Sequence, residues 1–167
     1  VLRAALTGHL VVTTLHSATA TGAFYRLQDL GLKLGHLSEL LLGIVAQRLV
    51  RALCENCKRP VPVPEHIQPK LDPVDVIYLP GSCDDCGGSG YRGRLPVVEL
   101  LVLDSMLHRM LATDCAVGEL VAAAAARNQQ TLMGSALVHL HQGKTSLPEI
   151  ERVLGSSVGA GNQEMSQ

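Results

Sequence analysis

Cys54-Glu55-Asn56-Cys57 and Cys83-Asp84-Asp85-Cys86 decide how the middle of this chain is built. The spacing is C-x2-C, then 25 residues, then C-x2-C. Two residues between thiolates let one backbone turn present both sulfurs to a single metal ion. Two such turns complete a tetrahedral site of four sulfurs, with Zn–S about 2.3 Å. The intervening stretch exceeds the usual length of about 15–20 residues, at a loop-closure cost of only about 0.3 kcal/mol. A closed four-sulfur site has no open coordination position, so it folds a loop and does not catalyse. Disulfides, redox-active pairs and unligated thiols stay open as alternatives, although redox C-x2-C motifs usually come singly beside a βαβ unit. Pro60, Pro62, Pro64, Pro69, Pro73 and Pro80 crowd the same region, which cannot build much regular structure by itself, so a metal crosslink is the natural way to hold it. Lys58, Arg59, Arg92 and Arg94 flank the pairs. They either offset the negative charge of the thiolates, Asp84 and Asp85, or form an ordinary solvated surface. Cys115, among Ala112, Ala116 and Val117, reads as a small core residue.

Around this module the chain has 167 residues, 47% hydrophobic and 17% charged, which suits one folded domain with a sizeable core and excludes a highly charged disordered segment. Phe24, Tyr25, Tyr78 and Tyr91 are the aromatic residues, too few for a single-strand nucleic-acid binder built on stacking platforms. Lysines and arginines number 14 against 15 acids, so no basic excess points to DNA or an anionic membrane. No apolar run approaches the roughly 18 residues of a membrane span, and no secretory signal is visible. The first residue is Val1, from which we expect a chain that starts inside a longer protein or was processed.

Residues 8–16, Gly-His-Leu-Val-Val-Thr-Thr-Leu-His, are β-branched and mostly apolar and predict a buried strand of the parallel-sheet kind, with His9 and His16 near its ends. Ser17-Ala18-Thr19 predicts a helix start, residues 19–30 carry apolar side chains at helical spacing, and Gly31 stops them. A second helix is expected from Leu37 to Leu42, broken at Gly43. Residues 44–53 read as a strand or a helix end. Residues 87–94 are a turn-rich exit from the module, and residues 95–103 a strand or hairpin with Pro96 at its start. Helices follow over 105–112, capped by Asp104, over 116–127 and over 131–142. A last helix is capped by Ser146 with Glu149 at the capping-box position. Residues 156–167 are expected to be a disordered tail.

These residues together resemble a known family. Ala5 to His16 resembles the histidine box of the secretion ATPases, the P-loop motors of type II secretion and type IV pilus assembly. Ala46-Gln47-Arg48-Leu49-Val50-Arg51 ahead of Cys54 resembles the segment leading into that family's tetracysteine zinc module. Gly90-Tyr91-Arg92-Gly93-Arg94 with Val98 to Leu101 resembles the exit from it, and Gly143 to Leu147 with Glu149 and Val153 its last helix. The resemblance covers roughly residues 1–155, in order.

It implies an α/β fold: the C-terminal portion of a RecA-like P-loop ATPase core with an inserted four-cysteine zinc module and a C-terminal helical region. The expected organisation is a partial core over 1–53, the zinc module over 54–94, and strand and helices over 95–155. No G-x-x-x-x-G-K-[ST] loop occurs, so the family's phosphate loop and Walker B strand would lie upstream of Val1, and this chain alone would be inactive. By resemblance His9 and His16 are catalytic, with His16 nearer the phosphate, since a strand end is where nucleotides bind in open α/β sheets. Arg26, Gln47, Arg48 and Arg51 are candidates for the nucleotide site. Cys54, Cys57, Cys83 and Cys86 would hold structural Zn²⁺, and ATP with Mg²⁺ would bind the full-length protein. The family implies a cytoplasmic homo-hexamer, peripheral at the inner membrane through platform and anchoring proteins. One departure is visible: the family usually has Thr-Asn after the second histidine, and here Ser17-Ala18 keeps a hydroxyl but loses the amide. The competing readings are a zinc-stabilised adaptor or docking module without ATPase activity, and a nucleic-acid-binding zinc ribbon, which the sparse aromatics and near-neutral charge oppose.

Overall fold

The computed structural model of the chain describes residues 2–65, 67, 75–113, 115–127 and 130–155; the expected tail, 156–167, lies outside them. In order, the elements are α1 (Leu2–Leu6), α2 (Gly22–Asp29), a 3-10 turn (Leu34–Leu37), β1 (Gly43–Leu53), β2 (Arg59–Pro62), β3 (Val76–Leu79), a 3-10 turn (Asp84–Cys86), β4 (Tyr91–Val102), α3 (Ser105–Ala112), α4 (Val117–Arg127), α5 (Leu132–His141) and α6 (Leu147–Leu154). They fold into two compact units, each assembled from two separated stretches. Among the described residues, one takes those of 1–46 and 99–131, the other those of 47–98 and 132–155, so β1 and β4 run through both.

The first unit packs α2, α3 and α4 on the near end of the strand pair. Phe24 and Leu27 from α2, Leu101 from β4, Leu107 and Leu111 from α3, and Leu120 and Ala124 from α4 are buried together. Helix α3 starts where the sequence says it should: Asp104 accepts from the amides of Met106 (3.0 Å) and Leu107 (2.9 Å), two donors that the first helical turn leaves without partners. Gly31, at φ +78°, ends α2, its amide donating to Gln28 O at 2.8 Å. Cys115 packs against this core, as its apolar neighbours imply.

Two expectations in this unit need correcting. Residues 9–16 form no strand: Leu10 is 80% and Val12 88% exposed, and only Leu15 packs on the core. A buried strand needs a neighbour to take its amides and carbonyls; among the described residues no strand pairs with this segment. Nor do residues 37–42 form a helix. A 3-10 turn buries Leu34 and Leu37, three positions apart, and a further turn over residues 38–40 leads into β1. Leu42 O accepts Leu103 N at 3.1 Å, and a Cβ on Gly43 would lie 3.1 Å from Leu101 O, so Gly43 opens a strand and does not break a helix.

The second unit contains the rest of both long strands, the β2–β3 ribbon, α5 and α6. The ambiguous stretch 44–53 is strand, with Ala46 and Val50 buried and Val45, Gln47, Leu49 and Arg51 exposed, the period of two that a half-covered sheet demands. β4 starts four residues before the expected strand, so the turn-rich exit is strand from Tyr91. Despite Pro60 and Pro62, β2 pairs antiparallel with β3 in the register Arg59↔Leu79 to Pro62↔Val76, on a two-stranded ribbon whose outer edge tolerates a missing amide. Val50, Ile77, Val97, Ala136, Leu140, Leu147 and Ile150 form this unit's core. Ser146 stands at the N-cap of α6, but the expected capping box is not made. The Ser146 hydroxyl lies 2.7 Å from the Tyr91 hydroxyl, and Glu149 turns to arginines instead.

Candidate metal centre and nucleotide-side residues

Each cysteine pair sits on its own backbone turn. Cys54 O accepts from Cys57 N (3.3 Å) and Lys58 N (3.0 Å); Cys83 O accepts from Gly88 N (3.0 Å). The two turns are brought together by backbone: Cys54 N donates to Gly90 O at 2.9 Å. The ligand atoms of all four cysteines lie within 4.8 Å of one another. Cys54–Cys83 and Cys57–Cys86 are each 3.8 Å apart and Cys83–Cys86 3.7 Å, the edge of about 3.8 Å that tetrahedral ligation at about 2.3 Å requires. None forms a disulfide. Cys54 is buried and the other three half-buried.

Glycines permit this convergence. A Cβ on Gly81 would stand 1.9 Å from Cys57 O. Gly90, at φ +74°, would put one 2.5 Å from Pro80 Cβ, while its amide donates to Cys86 Sγ at 3.2 Å. The first turn is tied into the unit by Lys58. Its ammonium donates to Gly143 O (3.1 Å), pairs with Glu55 (2.6 Å) and stands over the Tyr78 ring (4.9 Å). On the second turn, Asp85 accepts a short hydrogen bond from Asn56 across the two knuckles.

The electrostatics favour a cation. Burial, together with the neighbouring sulfurs, pushes the Cys57 thiol up to about 12. Burial opposes ionisation of Cys86 as well, yet hydrogen bonds with the Cys83 backbone and from the Gly90 amide carry its thiol down to about 6. One sulfur is poised to lose its proton while another, within 3.8 Å, resists. Four thiolates at such separations repel, and a bound dication removes that repulsion. The donor set, the spacing and the closed tetrahedron suit a structural metal ion.

The remaining predicted residues divide between the units. His9, His16 and Arg26 belong to the first. His9 is exposed, with Nδ1 3.1 Å from Thr7 Oγ1. His16 is exposed at the end of the extended segment, and Arg26 is exposed on α2. Gln47, Arg48 and Arg51 belong to the second unit, on β1. Gln47 is exposed on one face of the strand, and Arg48 Nη1 donates to Gln47 O at 3.2 Å. Arg51 lies over the Tyr91 ring at 4.0 Å and gives both Nε (2.9 Å) and Nη2 (2.7 Å) to Glu149. Sequence reasoning set Lys58 beside the thiolates and Glu149 in a capping box, but missed the partners through which they, with Tyr91, support this region. The two glycines had a signal, Gly81 just before Cys83 and Gly90 just after Cys86, but Arg51 and Glu149 are 98 positions apart with no local mark of their pairing.

Residues 1–152 match the family model described as type II/IV secretion system protein. The chain is 38% identical over 157 residues to type II secretion system protein E of Aeromonas hydrophila, covering 91% of this chain and 31% of that protein. It is 37% identical to the type IV pilus assembly ATPase PilB of Thermus thermophilus, covering 88% and 17% respectively. The chain thus spans about a third or less of the length of these relatives. Among solved structures, the pilus retraction motor PilT with bound ADP superposes on 96% of this chain and 35% of its own, with a TM-score of 0.57 at 21% identity, a likeness of fold.

Proposed function

The chain belongs to the type II/IV secretion system protein family, and on that premise we propose that it forms the C-terminal part of a hexameric motor coupling ATP hydrolysis to protein secretion or pilus assembly. The observation that carries this reading is the family match over residues 1–152, which takes in both the histidine segment and the four-cysteine cluster. In it, Cys54, Cys57, Cys83 and Cys86 hold Zn²⁺ and rivet the Pro-rich loop to β1 and β4. The ion supplies folding energy and a fixed shape, with no coordination position left for substrate.

His16 and His9 are the catalytic candidates. Catalysis of phosphoryl transfer is positioning plus stabilisation of charge on the phosphate oxygens. A neutral imidazole can donate a hydrogen bond to a γ-phosphate or orient water, and His16 is exposed to do so. Arg26, Gln47 and Arg48 are candidates for contact with nucleotide, within a subunit or across a ring. Arg51 is the weakest of the set, because two of its guanidinium nitrogens already serve Glu149. ATP enters with Mg²⁺, on a phosphate loop that this sequence does not contain. None of the described helices is long and apolar enough to cross a membrane. On the family resemblance, the motor works in the cytoplasm, held at the inner membrane by platform and anchoring proteins.

ATP turnover by the protein purified from its full reading frame tests this reading. His16→Ala is expected to lower kcat about 10²-fold with metal content unchanged. No turnover by the wild type would favour the metal-stabilised adaptor instead, and His16→Ala at the wild-type rate would remove the catalytic role of His16.

A further inference from the structure

Glu99 lies on β4 with 5% of its surface exposed, in the row of the strand that two positions later holds the buried Leu101. A carboxylate there costs free energy unless its oxygens meet donors. Its Oε2 accepts from the amide of Ala20 at 3.0 Å, across 79 positions of sequence. Ala20 is itself fully buried and sits in the short connection between His16 and α2. Several bonds within that connection are local. Ser17 N donates to Leu15 O (3.2 Å), Ser17 Oγ to Thr19 O (2.8 Å), and Gly22 N to Thr19 Oγ1 (3.0 Å). They give the turn its shape, and the Glu99 bond fastens that shape to the sheet.

We propose that Glu99 is a positioning residue: its carboxylate fixes the backbone at Ala20 and thereby where His16 stands when nucleotide is bound. This rests on the catalytic reading of His16. The role is indirect, since Glu99 is buried and holds an amide, while His16 is exposed. Misplacement of a reacting group by about 1 Å is enough to cost on the order of 10²-fold in rate.

The test uses the protein from its full reading frame. Glu99→Met keeps the volume but removes the acceptor, and Glu99→Gln restores one. Glu99→Met is expected to lower kcat at least tenfold with KM for ATP within twofold, and Glu99→Gln to recover most of the loss. His16→Ala combined with Glu99→Met should be no slower than His16→Ala alone, because the two act through one imidazole. Hydrogen exchange at the Ala20 amide should quicken in Glu99→Met and not in Glu99→Gln. Glu99→Asp, which draws the carboxylate back one methylene, serves if Glu99→Met does not fold, and predicts the same split. A normal kcat in the Glu99 variants beside an impaired His16→Ala, or losses that multiply in the double variant, would overturn the role of Glu99 alone. An inactive wild type, or His16→Ala at full rate, would overturn the reading of the site and the role of Glu99 with it.

Discussion

Arg51 on β1 and Glu149 on α6 meet through three hydrogen bonds: the Arg51 amide donates to Oε1 (2.9 Å), and Nε and Nη2 both donate to Oε2 (2.9 and 2.7 Å). Arg152 adds two more, at 2.8 and 2.7 Å. The Glu149 side chain has no exposed surface, while the arginines keep theirs, 45% for Arg51 and 57% for Arg152. Burial alone would raise the carboxyl pKa. The bonds from Arg152 and Arg51 more than offset it and hold Glu149 at about 2, against 4.5 ordinarily.

That depression fixes a pH dependence. A carboxyl with a lower pKa in the folded state contributes its stability fully above its unfolded pKa, and the contribution fades as pH falls toward the folded value. Unfolding free energy should therefore drop between about pH 4.5 and pH 2, by on the order of 3 kcal/mol for this group. Glu149→Gln should destabilise at pH 7 by about 2 kcal/mol, since the arginines left behind can still reach water. Denaturant unfolding followed across pH checks both, and the acid-side slope should flatten in Glu149→Gln.

Metal removal should do more than loosen the two knuckles. Lys58, next to Cys57, holds Gly143 O, and Leu53 N donates to Lys144 O at 2.8 Å. Chelation should raise hydrogen exchange first over residues 54–57 and 83–90, then at Leu53 and across residues 143–146. Elemental analysis should give one zinc per chain, and Co²⁺ substitution the strong absorption of tetrahedral thiolate ligation. Protection of those amides unchanged after complete metal removal would contradict a structural metal.

Gly81→Ala tests the approach of the two turns. Its Cβ would have to displace the Cys57 carbonyl, 1.9 Å away, so the first turn must shift relative to the second. Metal affinity should fall more than tenfold, measured by competition with a chromophoric chelator. Gly93→Ala is the control: its φ is positive, +84°, but a Cβ there meets nothing within 4 Å, so the sulfur positions should be retained.

Asp104→Ala removes the α3 cap and should cost about 1 kcal/mol. The same carboxylate pairs with Arg127 (3.0 Å), a half-exposed partnership worth little beside the cap. Thermal unfolding should register the loss with zinc content unchanged, because cap and metal belong to different units.

Local signals in the sequence were read well where local chemistry decides the structure. Asp104 caps α3, Gly31 ends α2, and each C-x2-C pair sits on its own turn, since each depends on a few adjacent residues. Reading failed where a distant partner decides. Glu149 has the spacing of a capping box, but charged arginine donors outcompete a neutral backbone amide for its carboxylate. The apolar run at 9–16 has strand composition, yet composition supplies no neighbouring strand. Leu37 to Leu42 has helix-forming leucines, but Leu42 and Gly43 already bond and pack as sheet. The candidates for the nucleotide site rest on family resemblance alone: no local pattern separates Arg26, which is exposed, from Arg51, which is engaged with Glu149.

The interleaving of the two units sets an order of assembly during synthesis. The helical unit has all its pieces once residue 131 has left the ribosome, whereas the cysteine-bearing unit still waits for Ala136, Leu140, Leu147 and Ile150. Its four sulfurs emerge long before that hydrophobic core can close. A nascent chain stalled after residue 131 would thus carry its four reduced thiols on an unfinished unit, in reach of oxidants and of stray metals.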